Sequence, residues 1–391
     1  MLSRAKVILL IGAALPVCGQ PSFHRDMLHG RDAYVLENGA VRVSALRGGG
    51  HLGEIRFLDG DASHTINPMR VPGYQTIEPY NFDATKDRAL YQSAFLAGYM
   101  GQLLCFPEFG GLPEAAIVEW KIADTEVRAD AVALRYEADL PRTQFRVGRT
   151  ITLPAQSSVI QVEEWAENLA PFGRPIHWVQ HVTFGPPFAE PGKNNLDMPS
   201  ARWAGGRLGA GLTDTPAHWP YSLKADGTPE DVRQLISAPH STRYNAYLFD
   251  HAGAYSYFTM YNSGYTVLVG YIFPAADNPW ILDWQENCSY LDKPWDGKEV
   301  ARGIEIGTTP FDEGLRRSLE RGPHLGKLPF RWIGGKQRLT TRYLIFLAAI
   351  PKGFAGVQNV QMSGGKILVQ VRGSGQAISI DQAGAACCEG Q

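Results

Sequence analysis

Four strand-like runs follow one another in the stretch AAIVEWKIADTEVRADAVALRYEADLPRTQFRVGRTITLPAQSSVIQVEEWAEN, residues 115–168. They are rich in Val, Ile, Thr and other apolar residues, as expected for half-buried strands. Turn-forming residues separate the runs at Ala123-Asp124, Pro141 and Pro154-Ala155. The pattern predicts strands over residues 115–122, 126–140, 143–152 and 158–168. Such a regular succession is typical of a large antiparallel β-sandwich.

The rest of the chain extends this all-β pattern. Asn38-Gly39 is a strong turn dipeptide between two alternating runs and predicts a hairpin over residues 33–46. Short helices are predicted only at residues 86–96 and 311–321, and residues 185–241 read as a long loop rich in Pro, Gly and Trp. Further strands are predicted at residues 54–58, 244–250, 255–261, 265–273 and 337–349, with a terminal hairpin at 367–371 and 377–380.

Composition supports the same class. Charged residues make up 19% of the 391 residues, whereas the chain has 42 Gly and 26 Pro, a mixture suited to many short strands joined by tight turns. A formal net charge of -2 provides no basic stripe, which argues against nucleic acid as a partner. We expect one domain over residues 20–391, in which residues 352–391 form a C-terminal hairpin and tail. The oligomeric state is left open.

The N-terminus has the features of an export signal. Arg4 and Lys6 precede a short apolar run that is too short to span a bilayer, so residues 1–19 are predicted to be a cleaved signal peptide. This predicts a periplasmic or extracellular protein without a membrane span after cleavage. Residues 15–18 match a lipoprotein box weakly, because bulky Val17 stands where a small residue is wanted. An uncleaved anchor or a wrongly chosen start codon is the alternative.

The five cysteines do not indicate metal or redox chemistry. None of them is spaced like a metal site, and Cys387 and Cys388 are adjacent in a tail rich in Gly and Ala. Cys105 is predicted to pack as a small apolar side chain. We expect no metal and no cofactor.

Two strand-like segments carry acid–base side chains among apolar or neutral neighbours. In the first, IHWVQHVTF (residues 176–184), alternation places His177, His181 and Thr183 on one face. In the second, GIEIG (residues 303–307), Glu305 points opposite to Ile304 and Ile306. A half-buried His and a half-buried Glu suit proton transfer to and from a sugar. We predict a structural role for His177 and a catalytic role for the pair His181 and Glu305.

Sugar-binding residues are predicted in two further segments. Residues 280–287, WILDWQEN, alternate aromatic and polar side chains, so Trp284, Glu286 and Asp283 are candidates for stacking on a sugar or gripping its hydroxyls. A core aromatic stripe is the alternative, and Asp283 with Glu286 could instead form a glycosidase pair. The irregular early segment adds His64 and Tyr80, because loops commonly carry binding groups.

At three places the sequence resembles the galactose mutarotase (aldose 1-epimerase)-like superfamily. The order and broad separation of the three places also fit, and the resemblance covers roughly residues 30 to 350. The matching residues are Leu36-Glu37-Asn38-Gly39 with Val43 and Ile55-Arg56-Phe57, Trp178-Val179-Gln180-His181 with Phe184, and Gly303-Ile304-Glu305.

The resemblance implies a super-β-sandwich with a sugar cleft and the interconversion of sugar anomers. It implies that Glu305 takes the proton of the C1 hydroxyl while His181 protonates the ring oxygen. The ligand would be a mono- or oligosaccharide, and the two side chains would meet across a space wide enough for one pyranose. Arg88, with Asp250 or Asp283, would be the residues that grip the substrate.

The sequence departs from the superfamily at one expected position. Typical members carry a second His in a Gly-rich segment, whereas the corresponding residues 109–114, FGGLPE, contain none. Two functions therefore remain open. The first is an aldose 1-epimerase-like isomerase, and the second is a non-catalytic carbohydrate-binding protein with the same fold. A polysaccharide lyase or hydrolase is a weaker third option.

Overall fold

The computed structural model of the protein describes residues 19–206 and 217–383. Within these ranges the fold is nearly all β, with two large antiparallel sheets that share one hydrophobic core. The predicted large antiparallel β-sandwich with few short helices is confirmed. The predicted signal peptide, apart from Gly19, lies outside the described residues, as do Cys18, Cys387 and Cys388.

The described residues form 25 strands and three α-helices. In chain order, the described strands are β1 (Ser22–Leu28), β2 (Arg31–Glu37), β3 (Val41–Leu46), β4 (Leu52–Phe57), β5 (Gln102–Cys105), β6 (Lys121–Val127), β7 (Ala131–Leu140), β8 (Phe145–Pro154), β9 (Val159–Asn168), β10 (Arg174–Ile176), β11 (Val179–Phe184), β12 (Asn194–Asp197), β13 (Ala201–Gly205), β14 (Tyr221–Leu223), β15 (Pro229–Asp231), β16 (Ser241–Phe249), β17 (Tyr255–Asn262), β18 (Val267–Pro274), β19 (Trp280–Asn287), β20 (Val300–Gly307), β21 (Arg331–Ile333), β22 (Arg338–Ala349), β23 (Val357–Ser363), β24 (Lys366–Val371) and β25 (Ala377–Asp381). The described α-helices are α1 (Arg88–Tyr91), α2 (Ala94–Gly98) and α3 (Gly314–Arg321).

Two large sheets form the sandwich. Among the described residues, the first sheet has ten strands in the order β1-β2-β3-β4-β5-β11-β20-β19-β16-β13. The second has eight described strands in the order β12-β17-β18-β22-β9-β8-β7-β6. The strands β11 and β20, which carry the predicted acid–base pair, are therefore neighbours in the interior of the ten-stranded sheet.

The hydrophobic core fills the space between the two sheets, because alternate side chains of each strand point into it. Val182, Ile304 and Ile306 of the ten-stranded sheet belong to this core. On the other side, the core includes Ile160 and Ile345 of the eight-stranded sheet. Residues of opposite parity on β11 and β20 consequently face away from the core, and this outer face holds His181 and Glu305.

A third sheet covers part of the outer face of the eight-stranded sheet. It consists of β23, β24 and β25, and β24 pairs with β25 as the predicted terminal hairpin. Its apolar side chains Ile367 and Val369 are fully buried against a cluster that includes Leu268 and Phe346. Arg372 adds an ion pair to Asp197 of β12.

The structure corrects several predicted elements. Residues 115–122 are not a strand, since a 3₁₀ turn occupies Glu114–Ala116 and β6 begins at Lys121. Residues 126–140 divide into β6 and β7, and the predicted helix over 86–96 divides into α1 and α2. The predicted loop over 185–241 contains four described strands, of which β12 and β13 extend the two large sheets.

A buried ion pair fixes this 185–241 segment to the ten-stranded sheet. The Arg302 guanidinium donates from Nε to Oδ1 of Asp283 (2.8 Å) and from Nη2 to Oδ2 (2.9 Å), and both side chains are at most 1% exposed. The same guanidinium donates to the carbonyl oxygens of Arg233 (2.9 Å) and Val232 (3.1 Å). The Arg302 side chain therefore neutralises a buried carboxylate and also supplies hydrogen bonds to backbone carbonyl groups of the 185–241 segment.

No helix in the described ranges is long and apolar enough to cross a bilayer. Likewise, residues 19–206 and 217–383 contain no group of three or more His, Cys, Asp or Glu side chains placed to hold a metal ion.

Candidate active site

Sheet pairing brings His181 and Glu305 into direct contact. In the antiparallel register of β11 and β20 the two residues are opposite each other, and His181 Nε2 lies 3.1 Å from Glu305 Oε1. The predicted orientation of Glu305, opposite to Ile304 and Ile306, is confirmed, because both isoleucines lie in the core between the sheets. The expected gap of one pyranose between the two side chains is not present. Both side chains therefore face the cavity from the same wall.

The pair lies at the wall of a large cavity on the outer face of the ten-stranded sheet. The cavity has a volume of about 1500 Å³. His181 is 7% exposed and Glu305 2% exposed, yet both line this cavity. Proton-transfer groups that are nearly buried but still reach a cavity have the low-polarity surroundings in which their protonation can be tuned.

Aromatic rings form a continuous wall beside the pair. Ring centroids are 6.0 Å apart between His181 and Trp284, 5.7 Å between Trp284 and Trp295, and 6.0 Å between Trp295 and Tyr99. Phe95 stacks on Tyr99 at 5.2 Å and continues the wall outward. Flat apolar surfaces of this kind complement the C–H faces of sugar rings.

Gly303 makes room for this arrangement. A Cβ added there would lie 2.8 Å from Cε3 of Trp284 and 3.0 Å from Cε1 of His181, closer than a packed carbon normally approaches. Because glycine has no side chain at position 303 of β20, the Trp284 ring can pack beside the His181 ring.

A chain of hydrogen bonds orients the imidazole ring. Thr183 Oγ1 is 3.1 Å from His181 Nδ1, and the hydroxyl groups of Thr183 and Tyr99 are 2.7 Å apart. When the ring hydrogen is on Nε2, it is donated to Glu305 while Nδ1 accepts from Thr183, whose oxygen accepts from Tyr99. This assignment uses each group once and in one direction. Tyr99 and Thr183 therefore hold the ring with Nε2 toward Glu305.

Tyr99 is held in turn by a buried arginine. The guanidinium carbon of Arg70 lies 4.7 Å from the centroid of the Tyr99 ring and 4.5 Å from that of Trp295. Its charge is balanced by Glu299, at 2.8 Å. The arginine thus fixes two rings of the aromatic wall by cation–π contact.

Some predicted binding residues reach the cavity and others do not. Trp284, Arg88 and Tyr80 line it together with His181 and Glu305. Asp283 points to the opposite face of β19 and is paired with Arg302 in the interior. Alternation along the strand explains this separation of Asp283 from Trp284.

Glu286 and His64 are also outside the lining of this cavity. Glu286 accepts hydrogen bonds from the Ser289 hydroxyl (2.6 Å) and from the Tyr290 backbone N–H (3.0 Å), so it shapes the turn after β19. His64 contacts Asp59 and lies 3.3 Å from the Thr266 hydroxyl. Asp250, the other candidate for gripping the substrate, pairs with His218 at 3.3 Å.

Sequence reasoning missed Tyr99, Phe95 and Trp295. One signal for the first two was present, since Phe95 and Tyr99 are four residues apart around the short helix α2, a spacing that places side chains on one face. No local signal marks Trp295.

His177 has the predicted structural role, because its Nδ1 accepts the Phe109 backbone N–H at 3.0 Å. Cys105 is 1% exposed in an apolar cluster, as predicted.

Burial shifts the protonation of His181 and of His177, which lies between β10 and β11. It lowers the pKa of His181 to about 3, with a smaller contribution from the nearby positive charge of Arg70. It lowers the pKa of His177 to about 4. At neutral pH the ring is uncharged.

These shifts predict that acid destabilises the fold at unusually mild pH. An unfolded histidine binds a proton near ~6.5, whereas folded His177 and His181 do so only near pH 4 and 3. Between these values the unfolded state binds more protons, so the free energy of unfolding should fall as the pH is lowered from about 6.5 to 4.5. The slope should approach about 1.4 kcal/mol per pH unit for each histidine.

Urea unfolding at half-unit pH steps measures this slope. His177→Gln retains an acceptor near the Phe109 N–H and removes one titrating group, so its slope should be shallower than that of the wild type. Equal slopes in the two proteins would contradict the role of burial at His177.

No protein-family model and no curated protein sequence matches the chain. Solved structures do match. A galactose mutarotase-like protein from Clostridium acetobutylicum superposes with a TM-score of 0.58 at 11% identity, covering 84% of this chain and 99% of that one. A "putative aldose 1-epimerase" from Klebsiella pneumoniae gives a TM-score of 0.57 at 10% identity, covering 85% and 84%. The chain therefore has the fold of the galactose mutarotase-like, or aldose 1-epimerase-like, proteins.

Proposed function

We propose that the protein binds a sugar in the aromatic-lined cavity and interconverts its anomers. The observation that carries this proposal is the contact of 3.1 Å between His181 Nε2 and Glu305 Oε1 at the wall of the cavity. The galactose mutarotase-like fold supports the sugar as ligand class. We also propose, from the N-terminal sequence, that the protein is exported.

The chemistry needs a donor and an acceptor that lie side by side. When a cyclic sugar opens, the C1 hydroxyl loses a proton, the bond between C1 and the ring oxygen breaks, and the ring oxygen gains a proton. Both oxygens are bonded to C1, so one face of the sugar presents both to the enzyme. Two contacting groups, of which one accepts while the other donates, can complete the transfer without a proton from solvent. Rotation about the C1–C2 bond and the reverse transfers then give the other anomer.

Burial favours this shared transfer over a fixed charged acid. Because the low pKa of His181 keeps its ring neutral at pH 7, the histidine is not an imidazolium ion before the reaction begins. Glu305 can instead take the proton of the C1 hydroxyl and pass it to Nε2 across their contact, while Nε2 gives its own proton to the ring oxygen, so that both side chains end in their starting protonation states. Glu305 as base and His181 as acid, the roles implied by the resemblance, are then two parts of one proton transfer between the sugar oxygens.

The alternative is a non-catalytic carbohydrate-binding protein with the same cleft. Two observations favour it. The segment at residues 109–114 has no second histidine. In addition, His181 is hydrogen-bonded on both ring nitrogens within the protein. A ligand oxygen would have to compete with these contacts before any proton moves.

The deciding experiment follows anomer interconversion in a panel of freshly dissolved α-aldoses. Polarimetry and proton exchange spectroscopy should show interconversion faster than in buffer for at least one sugar when the purified protein is added. Binding by calorimetry without acceleration would support the alternative. The absence of acceleration across glucose, galactose, mannose, xylose and their 6-phosphates would refute the catalytic proposal.

A further inference from the structure

A second, shallower groove continues from the main cavity. It has a volume of about 430 Å³, and Asp139 and Pro141 line both this groove and the main cavity. Its other walls include Gln144, Phe145 and Pro171. The two depressions therefore meet at the turn between β7 and β8, and a ligand that leaves the cavity over Pro141 enters the groove directly.

Two exposed aromatic rings belong to segments that adjoin the groove residue Pro171 in the chain or by strand pairing. Phe172 follows the groove residue Pro171 and is 60% exposed, and Trp332 of β21 is 59% exposed. Trp332 lies against the backbone of Gly173, where an added Cβ would be 2.7 Å from its indole nitrogen. Large rings of this kind usually bury far more of their surface. The exposure of both rings leaves their faces accessible to a ligand that extends beyond the groove.

The size of the cavity also exceeds the needs of a single sugar. Pockets for small molecules are typically ~300–1,000 Å³, whereas the main cavity alone is about 1500 Å³. The His181–Glu305 pair lies at its inner wall, whereas Arg142 and the ion pair of Arg146 with Asp139 lie at the side nearest the groove. Charged side chains at that edge can bind hydroxyl groups, and rings farther out can stack on sugar faces.

We propose that the cavity, the groove and the platform formed by Phe172 and Trp332 together bind one oligosaccharide chain. The inference rests on the proposed function, because it places the reducing-end sugar at His181 and Glu305. The following units pass over Pro141 along the groove, and a distal unit stacks on the platform. The preferred ligand is therefore a glycan with a free reducing end, rather than a monosaccharide.

The test measures affinity against chain length by calorimetry. Maltose-, cellulose-, xylan- and galactan-derived oligosaccharides of one to six units are titrated into the full protein. For at least one series, affinity should rise with length. Trp332→Ala should weaken binding of the longest member about tenfold, the equivalent of 1.4 kcal/mol, and leave the monosaccharide unaffected. Phe172→Ala should act in the same direction.

Tyr255→Ala is the matched control. Tyr255 is 54% exposed on β17 and lines neither depression, so its removal should leave affinity unchanged at every chain length. Affinity that does not depend on length in any series, or an equal loss for monosaccharide and hexasaccharide, would overturn the proposal. The proposal would also fail if sedimentation showed a dimer for the wild type and a monomer for Trp332→Ala or Phe172→Ala, because the two rings would then join two copies of the chain.

The outcome is separable from that of the catalytic proposal. Binding is measured without turnover, and the same titrations are repeated with Glu305→Gln. Length-dependent binding without anomer interconversion would support the oligosaccharide site and refute only the catalytic proposal. Interconversion of monosaccharides, together with an affinity that does not depend on chain length, would support catalysis and refute the oligosaccharide site.

Discussion

Glu305→Gln is expected to slow anomer interconversion by about 10²–10⁴-fold, the range for removal of one positioned acid–base group. The amide has nearly the shape of the carboxyl group but cannot exchange a proton with Nε2 of His181 across the contact of 3.1 Å. Because the side chain is 2% exposed, water has little room to replace it. The measurement is the second-order rate constant for the sugar that the wild type accelerates most, from exchange spectroscopy.

Two further variants complete this test. Glu163→Gln makes the same chemical change at a surface ion pair with Arg342 on the eight-stranded sheet, and it should leave the rate unchanged. Thr183→Val removes the hydroxyl group that orients the imidazole while keeping the side-chain volume, so it should reduce the rate less than Glu305→Gln does. A rate for Glu305→Gln within twofold of the wild type would exclude Glu305 from proton transfer.

Arg302→Met is expected to lower the free energy of unfolding by about 3–5 kcal/mol, as is usual when one partner of a buried ion pair is removed. The change leaves the Asp283 carboxylate in the interior without its guanidinium partner. It also removes the donors to the carbonyl groups of Val232 and Arg233, which attach the segment over 185–241 to the sheet. Urea unfolding followed by tryptophan fluorescence measures the loss.

Arg338→Met is the matched control for this stability prediction. Arg338 pairs with Glu167 at the surface, where it is 51% exposed, and such pairs contribute at most about 1 kcal/mol. A similar small loss for both variants would mean that the Arg302–Asp283 pair contributes no more than a surface pair. Asp283→Asn in the Arg302→Met background should recover part of the loss, because it removes the uncompensated charge.

The β architecture was predictable because its signals are local. Alternation within a strand is a property of neighbouring residues, so it assigned Glu305 to the face opposite Ile304 and Ile306 without any knowledge of the partner strands. The same rule separates Asp283 from Trp284, so the sequence could have excluded Asp283 from the cleft. The predicted loop over 185–241 failed for a related reason, because its strands are three to five residues long and give little periodic signal.

The contact between His181 and Glu305 could not be predicted from local sequence patterns. It depends on which strands of the ten-stranded sheet are neighbours and on their register, and both are set by pairing over more than a hundred residues. The pKa of His181 depended on the same information, because burial by surrounding rings causes the shift. For Glu286, the strand face was predictable, but the turn donors that occupy its carboxylate were not.

The position of β11 between β5 and β20 divides the site into parts that can vary independently. Backbone ladders on both sides hold His181, so the proposed catalytic pair is attached to a stiff part of the scaffold. The rings of Tyr290, Trp295 and Phe95, by contrast, come from connecting segments outside the strands. If the proposed function holds, exchange of these connections by insertion or recombination would change ligand preference and leave the His181–Glu305 pair in place, which makes this architecture a favourable starting point for engineered selectivity.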